Sequence, residues 1–248
     1  MQLVQMLGFS AFIATSLVLG VRLLLLWRRT GEVPEFAMGL SFLLGGAFGY
    51  AAWFVYSLVL MGNLSGDPHT IAVVGLALTC LGAFTNAAGI RAAFRPGDSR
   101  ARLLLLAFAA VMAIGWVDTL FNTSGQEHWL FWLSMGGAGA TYLWSTSECV
   151  RLYSLLRKRA RFGLAPAHLA DRARLWAMAF GAVVAMVSSS ILARLVMGPG
   201  EMAPVWVSTF QSLCGLACAT SIWFGFFPPA FYRRRFEAPP ATDASGAL

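Results

Sequence analysis

The chain has little charge for its length and almost no lysine. Only 12% of its 248 residues are charged, whereas about 25% is usual in soluble domains, and Lys158 is the only lysine. Uncharged runs such as 1–21 and 36–66 are longer than the roughly 20 apolar residues that cross a bilayer. The shortage of charge excludes an ordinary soluble protein and predicts an integral membrane protein.

Cysteines and catalytic motifs are equally scarce. All four cysteines fall inside apolar runs, so no disulfide framework is expected; they are Cys80, Cys149, Cys214 and Cys218. No histidine lies in the apolar runs beside them, and we therefore expect small buried residues and not a metal site. The sequence has no glycine-rich phosphate loop, zinc-protease motif or nucleophile elbow. We expect no catalytic residue, no metal, no cofactor and no enzymatic activity.

Seven apolar runs are long enough to cross a membrane, and Gly- and Pro-containing turns separate them. Helices are expected because only helices and closed barrels satisfy the backbone in lipid, and these runs lack two-residue alternation. The predicted spans cover about 3–27, 36–62, 70–94, 101–123, 128–156, 173–197 and 203–227. The expected fold class is an all-α membrane protein of seven transmembrane helices over 1–236, with a disordered tail over 237–248.

Positive charge is confined to alternate turns. The turns after spans one, three and five and the C-terminal end are rich in arginine, whereas the other turns hold Asp67, Glu127 and Glu201 and no Lys or Arg. The positive-inside rule places the N-terminus outside and the C-terminus inside, in a bacterial inner membrane. The net charge of +7 follows from this distribution. Anionic lipid head groups are therefore the expected partners, and nucleic acid is not.

A short pattern recurs at a single offset of 132 residues. The offset relates Arg29, Gly31 and Pro34 to Arg161, Gly163 and Pro166, and it also relates Phe94-x-Pro96 to Phe226-x-Pro228. It predicts a duplication, with chance identity in an apolar chain as the alternative. Repeat one then covers about 1–96, a linker helix about 101–123 and repeat two about 128–228. Parallel three-helix repeats of this kind occur in transporters.

The 3+1+3 layout resembles the SWEET sugar-efflux family and, more loosely, seven-helix rhodopsins. SWEET transporters carry prolines within the first two helices of each repeat, and rhodopsins carry a lysine in helix seven; this chain has neither. It is more similar to bacterial seven-helix membrane proteins to which no activity is attached. The shared motifs here are Arg29-Thr30…Pro34-Glu35, Phe94-Arg95-Pro96, and Arg161…Pro166 with Arg172 to Trp176. This resemblance implies a seven-helix bundle, and the chain departs from it at Ala165, where Asp is common.

Polar side chains near the inner ends of the spans are candidates for a ligand site. Inserting an ionisable group at the middle of a transmembrane helix costs roughly 2.5–3.5 kcal/mol, so each such group needs a reason to be there. Glu148 ends the polar patch Ser145–Glu148, and Arg151 is three residues further along the same face. We expect a polar cavity between helices one, two, three and five, with arginines that reach the head groups as the alternative. The candidate ligand-binding residues are Arg22, Glu35, Asn86, Arg91, Glu148 and Arg151. On the outer side, Asp118 and Arg194 are expected to form a structural ion pair.

Two functions of different classes fit this pattern. The first is binding or transport of a small molecule through a cavity at the repeat interface, an inference from architecture alone. The second is a sensor or accessory subunit that docks a cytoplasmic protein through the basic residues of 157–174 and 233–235. Only the first predicts that Glu148→Gln abolishes ligand traffic.

Overall fold

A computed structural model describes residues 2–122, 128–198 and 205–233, and those residues contain helices and no strand. A π-helical segment, Phe42–Gly49, joins α2 to α3 as one continuous element. The all-α fold is thus confirmed. The helices are α1 (Gln2–Thr30), α2 (Val33–Ser41), α3 (Tyr50–Leu60), α4 (Pro68–Phe94), α5 (Ser99–Phe121), α6 (Trp129–Arg161), α7 (Ala167–Met197), α8 (Val205–Phe226) and α9 (Ala230–Arg233). The tail predicted to be disordered, 237–248, lies outside the described residues.

The turns follow the sequence signals for helix ends. Asp67 and Asp98 begin α4 and α5 as N-cap residues whose carboxylates accept hydrogen bonds from first-turn backbone N–H groups. Gly31, Gly97 and Gly163 have φ angles of 73°, 81° and 70°, a left-handed conformation that only glycine adopts without strain. These three glycines lie in the three arginine-rich turns, which together mark what we call the basic end of the bundle.

The basic stretch between the fifth and sixth predicted spans is mostly helix and not a loop. α6 continues to Arg161 and α7 begins at Ala167, so only residues 162–166 are non-helical. Pro166 is the N-cap of α7, and proline suits this position because it has no N–H to leave unpaired. Several of the arginines expected in a loop therefore project from helices at defined spacings.

Six of the helical elements are long and apolar enough to cross a membrane. The multi-pass character of the chain rests on α1, the α2–α3 element, α4, α5, α7 and α8. α6 forms where the fifth span was predicted, but its glycines and the polar run Ser145–Glu148 make it less apolar than the other six. α4, α5 and α7 pack around it, which explains how a polar helix is accommodated. That α6 crosses the membrane stays a prediction.

Six elements form a closed ring. In order around the ring, α1, the α2–α3 element, α4, α6, α7 and α8 each pack on the next, and α8 returns to α1. α5 packs outside the ring on α4 and α6. At the basic end, one hydrophobic cluster takes a side chain from each of the six ring elements: Leu23, Met38, Ile90, Cys149, Phe180 and Phe226. We call this group the six-helix cluster.

Small residues bring helices close together around the π-helical segment. A Cβ on Gly82 of α4 would lie 2.5 Å from Cα of Gly45, and a Cβ on Gly46 would lie 2.5 Å from Oγ of Ser16 on α1. Glycines at these positions therefore allow the helices to pack closely. The π-helical geometry itself had no signal in the sequence pattern.

Candidate functional site

Glu148 is buried on α6 at the basic end, and three side chains hold its carboxylate. Arg95, just after α4, donates from Nε to Oε1 of Glu148 at 3.0 Å, and its Nη2 lies 2.9 Å from the same oxygen. Trp144 Nε1 donates to the same oxygen at 3.3 Å. Arg151 Nη1 lies 3.9 Å from Oε2, the pair expected within α6. The side chain of Glu148 is only 8% exposed, so its charge is balanced mainly by Arg95.

Arg95 links two polar groups at the end of α4. Its Nη1 also lies 3.5 Å from Oδ2 of Asp98, the N-cap of α5. The hydrogen bond with Glu148, more than any other contact, raises the pKa of Arg95, so its guanidinium stays charged. Arg95 was not among the candidate residues, because nothing in the sequence connects it to a glutamate on another helix. Its only sequence signal was its place in Phe94-Arg95-Pro96.

A second polar contact joins the same two helices deeper in the bundle. Asn86 Nδ2 donates to Oγ of Ser145 at 2.8 Å, and both side chains are buried. Asn86 precedes Arg95 by nine residues, or about 13 Å of α4. Interhelical hydrogen bonds in membranes contribute about 0.6–2 kcal/mol. The α4–α6 pair is thus fixed at two levels by polar groups.

Two buried N–H donors near the basic end have no acceptor among the described residues: Nε of Arg91 and Nε1 of Trp176. Trp176 stacks on Phe226 with ring centroids 5.5 Å apart and packs against the six-helix cluster, which also contains Ile90, the neighbour of Arg91. A buried donor without an acceptor costs about 1–3 kcal/mol. Both donors are therefore available to an acceptor on a bound molecule or an ordered water.

The candidate ligand-binding residues fall into two groups. Asn86, Arg91, Glu148 and Arg151 all lie on the α4–α6 pair. Arg22, on α1, is exposed, and its guanidinium carbon lies 4.0 Å from the ring centroid of Phe227. Glu35, on α2, accepts a hydrogen bond from the hydroxyl of Thr30. The contacts of Arg22 and Glu35 thus lie outside the α4–α6 group.

At the other end of the bundle, Nδ1 of His128 lies 2.5 Å from Oδ2 of Asp118, the residue expected to pair with Arg194. Nδ2 of Asn122 also donates to its carboxylate at 3.0 Å. Arg194 Nη1 donates to the carbonyl of Gly198 at 2.9 Å. His128 is available to Asp118 because it directly precedes α6, which packs against α5.

Two cavities open at the basic end, and neither lies at the centre of the ring. One, of about 350 Å³, lies between α6 and α7, and the other, of about 240 Å³, lies beside Trp27 and Phe36. Within the described parts of the chain, no group of three or more His, Cys, Asp or Glu residues is placed to hold a metal ion. The site therefore consists of arginine, glutamate, asparagine and tryptophan side chains between helices.

Comparison with known proteins adds no relative. No protein-family model, curated protein or solved structure is significantly similar to this chain. The resemblances noted from its motifs stay predictions, and function has to be argued from the site.

Proposed function

We propose that the protein binds a small molecule bearing hydrogen-bond acceptors at the basic end of the ring and carries it across the membrane. The observation that carries this proposal is the pair of buried donors without acceptors, Nε of Arg91 and Nε1 of Trp176. Neither group can accept a hydrogen bond, so a molecule that bonds to either donor must supply an acceptor. Arginine binds carboxylate and phosphate oxygens especially well.

The surrounding charge favours an anion. Glu148 is already compensated by Arg95 at 2.9 Å, with Arg151 at 3.9 Å. Arg91 adds a positive charge with no carboxylate partner among the described residues. Ionisable groups at this depth are costly and are usually retained for a function. The group as a whole carries excess positive charge and suits an anionic ligand.

The order of helices around the ring supports transport between two halves. The ring consists of two sets of three elements, and in each set the elements pack on one another in chain order. The first set is α1, the α2–α3 element and α4, and the second is α6, α7 and α8. The two junctions between these halves, α4 with α6 and α8 with α1, each join the third helix of one half to the first helix of the other. Parallel repeats with a path between them have this organisation, and α5 lies outside it as the linker.

The contact between Arg95 and Glu148 would then hold the α4–α6 junction closed. It is a charged contact that can break and re-form as the halves move, since Arg95 is 34% exposed and water can reach it. Rigid-body movement of domains about an interface commonly exchanges such ion pairs. Breaking the pair separates the halves on the side from which the ligand enters or leaves.

Native mass spectrometry of the protein in mild detergent tests the binding. The variants are Arg91→Met and Trp176→Phe, which remove the unpaired donors while keeping much of each side chain's apolar bulk, and Arg100→Met as a control at an exposed position. We expect a single small molecule on the wild type and on Arg100→Met, and its loss from the other two. A bare mass for the wild type, or the same adduct on all four proteins, would overturn the proposal.

A further inference from the structure

The cavity between α6 and α7 is separate from the group around Glu148. Tyr153, Arg157 and Arg161 of α6 line one side, and Ala167, Ala170 and Asp171 of α7 line the other. Its volume of about 350 Å³ is at the lower end of the roughly 300–1,000 Å³ found for small-molecule sites. It can hold a group the size of a phosphate ester.

The two arginines in this cavity carry charge that no carboxylate compensates. Neither Arg157 nor Arg161 forms an ion pair with any described residue. Asp171, the acidic residue of the lining, is paired with Arg174 at 2.6 Å and accepts a hydrogen bond from Tyr232. The guanidinium carbon of Arg157 lies 5.9 Å from the ring centroid of Tyr153, which restrains it at the cavity wall. The cavity is therefore a positively charged pocket with a restrained donor.

The start of α7 adds further donors to the same wall. Its N-cap, Pro166, provides no side-chain hydrogen bond, and the first backbone N–H groups of a helix have no intrahelical acceptor. Ala167, which lines the cavity, is the first residue of this helix. The positive end of the helix dipole reinforces the attraction of the two arginines for an anion.

Large apolar side chains are exposed beside the cavity. Phe162 and Leu164, in the turn between α6 and α7, are 79% and 76% exposed. Large apolar side chains beside a charged pocket suit the boundary between head groups and acyl chains.

We propose that this cavity binds the phosphate of one anionic phospholipid, with Arg157 and Arg161 as the principal contacts. A lipid source fits better than free phosphate because the exposed Phe162 and Leu164 would contact acyl chains. It also fits better than a protein partner, since basic pockets between membrane helices on this side bind anionic head groups.

The test uses the full-length protein in detergent, with native mass spectrometry during titration of phosphatidylglycerol or, separately, phosphatidylcholine. The variants are Arg157→Gln/Arg161→Gln and Ala167→Phe, which fills the cavity without changing charge. Arg28→Gln/Arg29→Gln removes the same charge from exposed positions at the end of α1 and serves as the control. Melting temperatures in phosphatidylcholine verify that each variant is folded.

We expect one phosphatidylglycerol to bind the wild type in preference to phosphatidylcholine. Its affinity should fall roughly 25-fold in the Arg157/Arg161 variant, from about fivefold for each basic residue, and fall in Ala167→Phe, but stay unchanged in the Arg28/Arg29 control. An equal loss in the control would show diffuse surface charge and overturn the proposal. Displacement of the lipid by millimolar inorganic phosphate, or binding of a co-purified protein that depends on Arg157 and Arg161 with no lipid preference, would also overturn it.

Discussion

Arg95 and Glu148 are 53 residues apart in sequence, yet Nε of Arg95 donates to a carboxylate oxygen of Glu148 and Nη2 lies 2.9 Å from the same oxygen. The pair joins the end of α4 to α6, its neighbour in the ring. The two side chains differ in their exposure to solvent, because Glu148 is buried and Arg95 is 34% exposed. Water can therefore solvate Arg95 when its partner is lost, but it cannot solvate Glu148 in the same way.

This difference in exposure predicts that the two single substitutions lower the stability of the protein by different amounts. Glu148→Gln is expected to lower stability by about 1–3 kcal/mol, since a charged hydrogen-bond acceptor is lost. Arg95→Gln should lower it more, because it leaves a buried carboxylate without its main counter-charge. Thermal unfolding in detergent measures both, and the double variant should be more stable than Arg95→Gln alone. Simple additivity of the two losses would show that the residues do not interact.

The glycine contact between α4 and the π-helical segment predicts that Gly82→Ala is strongly destabilising. The new Cβ would lie 2.5 Å from the backbone Cα of Gly45, which no side-chain rotation can relieve, and overpacking of this kind costs typically 1–3 kcal/mol or more. Gly136→Ala on α6 is the matched control, because a Cβ there meets nothing within 4 Å. Melting temperatures should fall for the first variant and stay level or rise for the second. Equal behaviour of the two would contradict the helix contact.

The cap of α4 predicts a pH-dependent contribution to stability. The side-chain hydrogen bond from Thr70, followed by those from the backbone, lowers the pKa of Asp67 below its ordinary value of 3.8. A carboxylate with a lowered pKa stabilises the fold above its unfolded pKa, and this stability is lost as the pH falls through the folded pKa. Wild type should therefore melt higher than Asp67→Asn at neutral pH, and the gap should close below about pH 3.8. A gap that is constant with pH would show that the charge of Asp67 contributes nothing.

Burial of the cysteines predicts an order of thiol labelling. Cys149 and Cys218 are 0% and 1% exposed, while Cys214 is partly exposed. N-ethylmaleimide should therefore label Cys214 first in the folded protein, and all four cysteines after unfolding in SDS. Peptide mass spectrometry identifies the labelled sites. Rapid labelling of Cys149 would show that the α6 face beside Glu148 is open.

Much of the fold could be predicted from composition, because long uncharged runs have few solutions in lipid. The contacts of Glu148 were predictable only in part. Arg151 lies three residues away on the same helix and follows from helical spacing, whereas Arg95 depends on how α4 and α6 pack. The unpaired donors of Arg91 and Trp176 were not predictable either, since a sequence shows that a group is polar but not whether it finds a hydrogen-bond partner in the fold. The π-helical segment had no sequence signal beyond the glycines at Gly45 and Gly46.

We propose that the protein carries a small anion between the two halves of the ring, and release from vesicles tests this transport directly. Lipid vesicles containing the purified protein can be loaded with a defined mixture of small carboxylates and phosphate esters, and mass spectrometry can follow what they retain. The wild type is expected to release at least one component faster than protein-free vesicles. Glu148→Gln and Arg91→Met should release none, and Glu32→Gln, the same change at an exposed position, should behave as wild type. Equal retention of every component by wild-type and protein-free vesicles would contradict transport.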